Sequence, residues 1–269
     1  MDVRPIGVFD SGLGGLTTVK KLLQSLPGEE IIYLGDTGRV PYGSRSKQTI
    51  LKYAIQDAEF LAKYNIKAMI VACNTVCSVA YDALAKAYDF PVYEVVSAPA
   101  KVAVSTTKNN KIGVIGTAAT IRSEAYEKAI HKLDQSINVF SQACPLFVPL
   151  AEYGRTAGDD IASLTIARDY LQPLKDQGVD TLILGCTHYP LLQEIIAKVM
   201  GEDVTLIDSG AQTASMVAAE LKKLGKLSGR DKSATARYFV TDSIESFLDP
   251  ASRILESEVS GLVEQVTIE

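Results

Sequence analysis

The sequence predicts an α/β fold of two similar lobes, each a mostly parallel sheet flanked by helices, with the active site in the cleft between them. Apolar, β-branched runs alternate with helical patterns along the chain, and such alternation is typical of parallel sheets. Most of these runs are apolar almost without interruption, as expected of strands that are covered on both faces. Nine candidate strands follow from this pattern: residues 6–9, 31–34, 68–72, 92–96, 111–116, 137–143, 181–185, 204–208 and 236–241.

Helical patterns lie between most of these strands. Apolar residues recur every three or four positions in residues 16–26, 47–64 and 161–177, which predicts helices with one buried face. A helix between two strands carries the chain back across the sheet, so that consecutive strands run parallel. The tail after about residue 207 holds a further strand and helices, and we expect it to return to the first lobe.

The two halves of the chain resemble each other. IGVFDSGLGG at 6–15 resembles IGVIGTAAT at 112–120, and VACNT at 71–75 resembles LGCTH at 184–188. Each half therefore has a strand followed by a loop of small residues, and later a strand that ends at a cysteine. We expect two lobes, formed by residues 1–96 together with 208–269 and by residues 97–207.

Composition and charge narrow the class of protein. The chain has 269 residues, of which 47% are hydrophobic and 22% are charged, enough to bury a sizeable core. No apolar run approaches the ~20 residues that cross a bilayer, and the opening MDVRPIGVFDSG shows no secretory signal. The net charge of −5 and the absence of a Lys/Arg block argue against a nucleic-acid partner. We therefore expect a cytoplasmic protein without a membrane or nucleic-acid partner, whose four cysteines stay reduced.

Small, polar or reactive residues follow nearly every predicted strand. In open α/β sheets, ligands bind beyond the carboxyl ends of the strands, so these residues are candidates for one shared site. They are Asp10 and Ser11, residues 35–44, Cys73 to Thr75, Thr117 to Thr120, Cys186 to His188, and Asp208 with Ser209.

Two cysteines occupy matching positions in the repeat. Cys73 lies between a strand and a helix, and Cys186 precedes a helix that we expect to open near Pro190. A thiol at a helix N-terminus is favoured as thiolate by unpaired N–H groups and the helix dipole. A buried structural thiol is the alternative interpretation for either cysteine alone. Cys77 and Cys144 lack this context, and packing is the better explanation for both.

The pattern of residues disfavours several kinds of thiol chemistry. C-x3-C at 73 and 77 with C-x-H at 186 and 188 is not a zinc spacing, so we predict no metal. Thiol–disulfide exchange usually uses C-x-x-C, which is missing. Hydrolysis by a Cys–His pair would leave the second thiol unexplained. Two matched thiols on opposite lobes suit proton transfer at both faces of one carbon atom.

No cofactor is predicted either. DSGLGG at 10–15 has Thr17 where a dinucleotide-binding motif would place its third glycine, so the match is poor. No lysine stands at a strand end as a candidate for pyridoxal binding. Three further residues have a structural alternative: Asp10 as a helix cap, His188 as a structural histidine and Glu152 as a solvated carboxylate.

Five motifs together resemble a known family. DSGLGG (10–15), VPYGSRS (40–46), ACNT (72–75), GTAAT (116–120) and GCTHYP (185–190) are similar to motifs of the glutamate racemases. These are cofactor-independent members of the aspartate/glutamate racemase family. The resemblance spans essentially the whole chain in the order of the family.

The resemblance implies reversible interconversion of L-glutamate and D-glutamate by a homodimer, supplying D-glutamate for peptidoglycan. It implies that Cys73 and Cys186 are the catalytic thiols of the two lobes, assisted by Asp10, His188 and Glu152. It also implies a set of residues around the substrate: Asp10, Ser11, Tyr42, Gly43, Asn74, Thr75, Thr120, Thr187 and His188.

Two other functions stay open at this point. The same scaffold could racemise aspartate or a hydantoin, because the motifs do not reveal which side-chain length fits. A two-lobed protein could also close on an amino acid without chemistry. The paired cysteines argue against the second function, since binding needs hydroxyls and charges rather than thiols.

Overall fold

The computed structural model describes residues 1–230 and 235–268, and its strands form two sheets. Every pair of neighbouring strands runs parallel. The predicted α/β class and all nine predicted strands are confirmed. The strands are β1 (Ile6–Asp10), β2 (Ile31–Gly35), β3 (Ala68–Val71), β4 (Val92–Glu94), β5 (Lys111–Gly116), β6 (Asn138–Ala143), β7 (Thr181–Gly185), β8 (Thr205–Asp208), β9 (Ala236–Val240) and β10 (Val263–Gln265).

Helices connect the strands, and the three helices predicted from periodicity are present with ends shifted by one or two residues. A short 3-10 helix, Tyr189–Leu192, precedes the ninth α-helix. The α-helices are α1 (Leu16–Ser25), α2 (Lys47–Ala62), α3 (Asn74–Ala87), α4 (Ser97–Thr106), α5 (Ala118–Ser123), α6 (Ala125–Leu133), α7 (Phe147–Glu152), α8 (Ile161–Asp176), α9 (Gln193–Met200), α10 (Ser209–Lys223) and α11 (Ile244–Leu255).

Four strands of the larger sheet, β2-β1-β3-β4, have the same order as the four strands of the smaller sheet. The larger sheet runs β10-β9-β2-β1-β3-β4 and the smaller runs β6-β5-β7-β8, so β1 and β5 occupy equivalent positions. The strand that follows β1 in the chain, β2, lies on one side of it, and the next strand, β3, lies on the other side; β6 and β7 flank β5 in the same way. In α/β sheets, ligands bind in the crevice where the strand order reverses. Strands β9 and β10 join the larger sheet, in agreement with the expected return of the tail. The lobe boundaries at residues 96 and 208 stay a prediction.

Apolar side chains on both faces of the sheets hold the lobes together. One cluster of buried residues runs across both sheets and includes Val71 and Ile183, whereas two others cover the outer faces. Strand β10 was not predicted, because VEQ offers one apolar residue and no readable pattern. Within residues 1–230 and 235–268, no helix has the length and apolarity of a membrane span.

Candidate active site

A cavity of ≈ 370 Å³ lies beyond the carboxyl ends of β1, β3 and β7, at the junction of the two sheets. Both candidate thiols line it, although they come from different sheets. Its walls bring together most of the residues that the motifs indicated. They are Ser11, Val40, Pro41, Tyr42, Gly43, Cys73, Asn74, Thr75, Thr117, Val148, Cys186, Thr187 and His188.

Cys73 lies at the N-cap of α3, as the sequence predicts. Its Sγ donates to Ser11 Oγ at 3.5 Å. Burial and the nearby Asp10 carboxylate raise the pKa of the Cys73 thiol to about 12. The sequence led us to expect a lowered pKa, and this was wrong, because desolvation outweighs the helix terminus. Cys73 is therefore a thiol at neutral pH and is poised to donate a proton.

Asp10 ends β1 immediately behind the Cys73 side of the cavity. It is completely buried, and it accepts hydrogen bonds from Gly12 N at 3.0 Å and Thr187 Oγ1 at 3.3 Å. Burial raises the pKa of its carboxyl group, although nearby His188 opposes the shift. Asp10 is not part of the cavity wall, so it acts on the site through these neighbours and through its charge.

Cys186 follows β7 directly and faces His188. The helix expected near Pro190 is the 3-10 helix Tyr189–Leu192, which begins three residues after the thiol, so Cys186 does not cap an α-helix as Cys73 does. Its immediate partner is a side chain: His188 Nδ1 lies 3.9 Å from Cys186 Sγ, and His188 Nε2 lies 3.0 Å from Glu152 Oε1.

His188 carries the charge on this side of the cavity. Burial lowers the pKa of its imidazole, but the hydrogen bonds with Cys186 and Glu152 outweigh burial and raise the pKa to about 10. The ring is consequently protonated at neutral pH. His188 therefore places a positive charge beside Cys186 Sγ, whereas Cys73 is placed to give a proton.

The loop after β1 touches the second sheet closely. A Cβ atom added to Gly14 would lie 2.3 Å from Thr187 Oγ1 and 2.5 Å from His188 Nδ1, so only glycine fits there. Thr17 Oγ1 donates to the Thr187 carbonyl at 2.9 Å. The DSGLGG motif thus holds the Cys186 loop in place as well as supplying Asp10 and Ser11.

Hydrogen-bonding groups gather at the N-terminus of α3. Asn74 Oδ1 accepts from Tyr126 Oη at 2.5 Å, and its buried Nδ2 has no hydrogen-bond partner within residues 1–230 and 235–268. The hydroxyls of Thr75 and Thr117 lie 3.0 Å apart, and Thr120 Oγ1 lies 3.0 Å from Thr117 Oγ1. Buried polar groups rarely stay unpaired, so the orphaned amide and the hydroxyls suit a bound carboxylate.

Thr117 and Val148 line the cavity although the resemblance assigned neither to the site, whereas three residues that it did assign, Asp10, Thr120 and Glu152, do not line it. Thr117 lines the cavity, whereas Thr120 reaches it through Thr117. Glu152 contacts His188 but does not line this cavity. A signal for Thr117 existed in the sequence, since it follows the β5 strand directly as Asp10 ends β1.

The Tyr42 hydroxyl does not face the cavity. Tyr42 is 1% exposed, and its hydroxyl donates to the buried carboxylates of Asp36 and Asp57. Tyr42 therefore contributes to the cavity wall through atoms other than its hydroxyl, next to Gly43. A Cβ atom on Gly43 would lie 3.0 Å from Thr117 Cβ, so glycine permits this contact between the two lobes.

A larger cavity of ≈ 1190 Å³ adjoins the inner one and shares Val40, Pro41, Gly43, Thr117 and Val148 with it. Its remaining wall includes Glu152 and Arg122. The larger cavity is therefore adjacent to the one that holds the thiols. The other two cysteines lie away from both cavities: Cys77 Sγ donates to the Val71 carbonyl at 3.1 Å, and Cys144 is fully buried.

Comparison with known proteins places this geometry in a family. Residues 6–217 match the family model of the Asp/Glu/hydantoin racemases. A glutamate racemase of Geobacter metallireducens is 45% identical over 100% of this chain and 98% of its own length.

Two solved structures are similar over nearly the whole chain. A glutamate racemase isoform of Bacillus anthracis matches with a TM-score of 0.94 at 41% identity, covering 99% of this chain and 98% of its own. The glutamate racemase of Francisella tularensis in complex with D-glutamate matches with a TM-score of 0.91 at 41% identity and the same coverage. The chain belongs to the Asp/Glu/hydantoin racemase family.

Proposed function

We propose that this protein interconverts L-glutamate and D-glutamate by transferring protons at both faces of the α-carbon. One observation carries the proposal: Cys73 and Cys186, from equivalent positions of two sheets, line one cavity. Each thiol has its own acid–base neighbour, Asp10 with Ser11 for Cys73 and His188 for Cys186.

The two thiols have opposite roles in each direction, and the L-to-D direction begins at Cys186. The Cys186 thiolate accepts the α-proton of L-glutamate, and the electron pair of the broken C–H bond stays on the substrate. The Cys73 thiol then gives its proton to the opposite face, which yields D-glutamate and leaves Cys73 as thiolate. The reverse reaction exchanges the two roles, so every turnover needs one acid and one base.

Fixed donors stabilise the charge that develops on the substrate carboxylate. Asn74 Nδ2 has no hydrogen-bond partner among the described residues, and the Thr75 and Thr117 hydroxyls lie 3.0 Å apart. Donors that are already in place when charge develops typically contribute about 3–4 kcal/mol each to a transition state. The substrate ammonium offsets the desolvation of the Cys73 thiolate once it forms.

The names of the relatives favour glutamate as the substrate of this protein. The relatives from Geobacter and Bacillus are named glutamate racemases, and the Francisella structure is described as a complex with D-glutamate. Circular dichroism of L-glutamate with purified protein tests this directly, with L-aspartate and a hydantoin in parallel. Loss of the L-glutamate signal toward zero supports the proposal. A signal that stays constant for L-glutamate contradicts it, and would favour another substrate or a binding protein.

We further propose that the protein works in the cytoplasm as a homodimer that supplies D-glutamate for peptidoglycan. The four cysteines form no disulfides, as suits a reducing compartment. Tyr153 and Ile161 are 82% and 80% exposed, which suits a surface that pairs with a second copy. Light scattering would test the dimer, and D-glutamate dependence of a deletion strain would test the role in peptidoglycan.

A further inference from the structure

Four residues behind the substrate-binding loop form a buried cluster that the proposed chemistry does not use. We call Asp36, Arg39, Tyr42 and Asp57 the loop brace. Arg39 and Tyr42 belong to the loop between β2 and α2, which also supplies Gly43 to the cavity wall. Asp36 follows β2 and Asp57 lies within α2, and both carboxylates are completely buried.

Short hydrogen bonds connect all four residues. Arg39 Nε donates to Asp36 Oδ2 at 2.6 Å, and another guanidinium nitrogen donates to Asp57 Oδ1 at 2.7 Å. The Tyr42 hydroxyl contacts Asp36 and lies 3.0 Å from Asp57 Oδ2. Thr241 Oγ1 donates to Asp36 Oδ1 at 2.8 Å. The brace therefore fastens the loop to β2, α2 and the end of β9.

The charges of the brace do not balance. Two buried carboxylates share a single guanidinium, so one negative charge stays uncompensated when both are ionised. Burying such a charge is costly, and a proton on one of the two carboxyl groups removes the cost. Burial and the adjacent Asp36 carboxylate raise the pKa of Asp57 well above its ordinary value, against the effect of Arg39. Among the described residues, Tyr42 and Asp10 also bear on this carboxyl group, and neither supplies a positive charge.

We propose that Asp57 is a positioning residue for substrate binding: by holding a proton next to the Tyr42 hydroxyl, which also contacts Asp36, it keeps residues 39–43 in the conformation that completes the cavity. The proposal rests on the proposed function, because the loop is assigned to glutamate binding there. Asp57 does not line the cavity, so it acts on the substrate only through Arg39 and Tyr42.

The proton makes the brace sensitive to pH in a defined direction. A carboxyl group whose pKa is raised on folding stabilises the folded loop most at low pH, below the ordinary carboxyl pKa. This contribution is lost as the pH rises toward the raised value, where the pair ionises completely. We therefore expect the KM for glutamate to rise on the alkaline side, while the thiol chemistry measured by kcat changes separately.

The Asp57→Asn variant removes this titration and retains the contacts. Its amide oxygen takes the place of Oδ1 and accepts from Arg39, and its amide nitrogen takes the place of Oδ2 and donates to the Tyr42 hydroxyl oxygen. We expect a KM near the wild-type value at about pH 7, and a rise by about pH 9.5 that is at least about fivefold smaller than in the wild type. Glu59→Gln is the matched control, since it removes an exposed carboxylate from the same helix and should retain the wild-type profile.

The Tyr42→Phe variant removes both hydroxyl contacts. We expect KM for both enantiomers to rise by about tenfold while kcat stays within about twofold, because hydrogen bonds to charged acceptors are strong. A merely structural role would lower the melting temperature and leave KM unchanged in the folded fraction. Equal KM profiles for wild type and Asp57→Asn would overturn the proposal.

A second measurement does not depend on catalysis. Hydrogen–deuterium exchange of residues 38–45 in the substrate-free protein, at matched pH, should increase at alkaline pH in the wild type relative to Asp57→Asn. Equal exchange in the two proteins would show that the pair does not hold the loop. If the two proteins differ in exchange as expected but the wild type does not racemise glutamate, the role of the loop brace is supported and the proposed function is rejected.

Discussion

Replacing His188 with asparagine removes the cation that stands beside Cys186. His188 Nδ1 lies 3.9 Å from Cys186 Sγ, and opposite unit charges at ~4 Å attract by about 4 kcal/mol at an effective dielectric constant of ~20. Asparagine retains a hydrogen-bond donor and thus part of this stabilisation. Each ~1.4 kcal/mol of lost stabilisation lowers a rate about tenfold, so losing about 3 kcal/mol of this attraction should lower kcat/KM by about 10²-fold.

Initial rates from both enantiomers, followed by circular dichroism, measure this loss. The enantiomers are equally stable, so kcat/KM must fall equally in the two directions. Substrates deuterated at the α-carbon separate the two proton transfers. Because His188 stands beside Cys186, its loss slows the proton transfer at Cys186 most, so that transfer becomes the slowest step and the isotope effect from L-glutamate rises. The isotope effect from D-glutamate falls, since Cys73 removes that proton.

The same cation predicts a pH dependence. Hydrogen bonds with Cys186 and Glu152 overcome burial and raise the pKa of His188 to about 10. The attraction is therefore fully present below the ordinary pKa of ~6.5 and is lost as the pH rises through about 10. His131→Asn, the same change at the other histidine, should have wild-type kinetics. A loss below about threefold in His188→Asn, or a larger isotope effect from D-glutamate, would refute the reasoning.

Three further predictions concern the thiols, cofactors and the lobe contact. Cys73→Ala or Cys186→Ala should each abolish racemisation in both directions. The control Cys77→Ala should cost a few kcal/mol of stability at most and retain turnover. An active Cys186→Ala protein would contradict the assignment. Activity should survive exhaustive dialysis against a chelator, and the absorbance spectrum should show no pyridoxal phosphate; restoration by added metal would overturn this. Gly14→Ala should lower kcat/KM by at least about tenfold, because its methyl group displaces the second lobe's catalytic loop; wild-type kinetics would show that the loop adjusts freely.

Strand positions could be predicted because the sequences of buried parallel strands are continuous apolar runs. Residues 68–72 and 181–185 are such runs, and the cysteine after each marked the site. The repeat then indicated that both thiols belong to one ligand, and they do line one cavity. Strand β10 escaped prediction because two of its three residues are polar and its pairing with β9 decides its conformation.

Contacts between distant residues could not be predicted. Tyr42 was expected at the substrate, but its hydroxyl lies against Asp57, and Asp57 looks like an exposed helix residue in sequence. The raised pKa of Cys73 has the same origin, since burial depends on what packs around α3 rather than on the helix terminus itself. Local pattern reveals which side chains leave a strand end, whereas packing decides where they point.

Racemisation in heavy water tests the central claim, that two thiols act on opposite faces of one carbon. The proton that Cys186 takes from L-glutamate stays on that thiol, while Cys73 delivers a solvent-derived deuteron. Early D-glutamate should therefore carry deuterium at the α-carbon, and the remaining L-glutamate should be almost unlabelled, as mass spectrometry of the separated enantiomers would measure. Substantial retention of the original proton in early D-glutamate would show that one group serves both faces, and would contradict the two-thiol account.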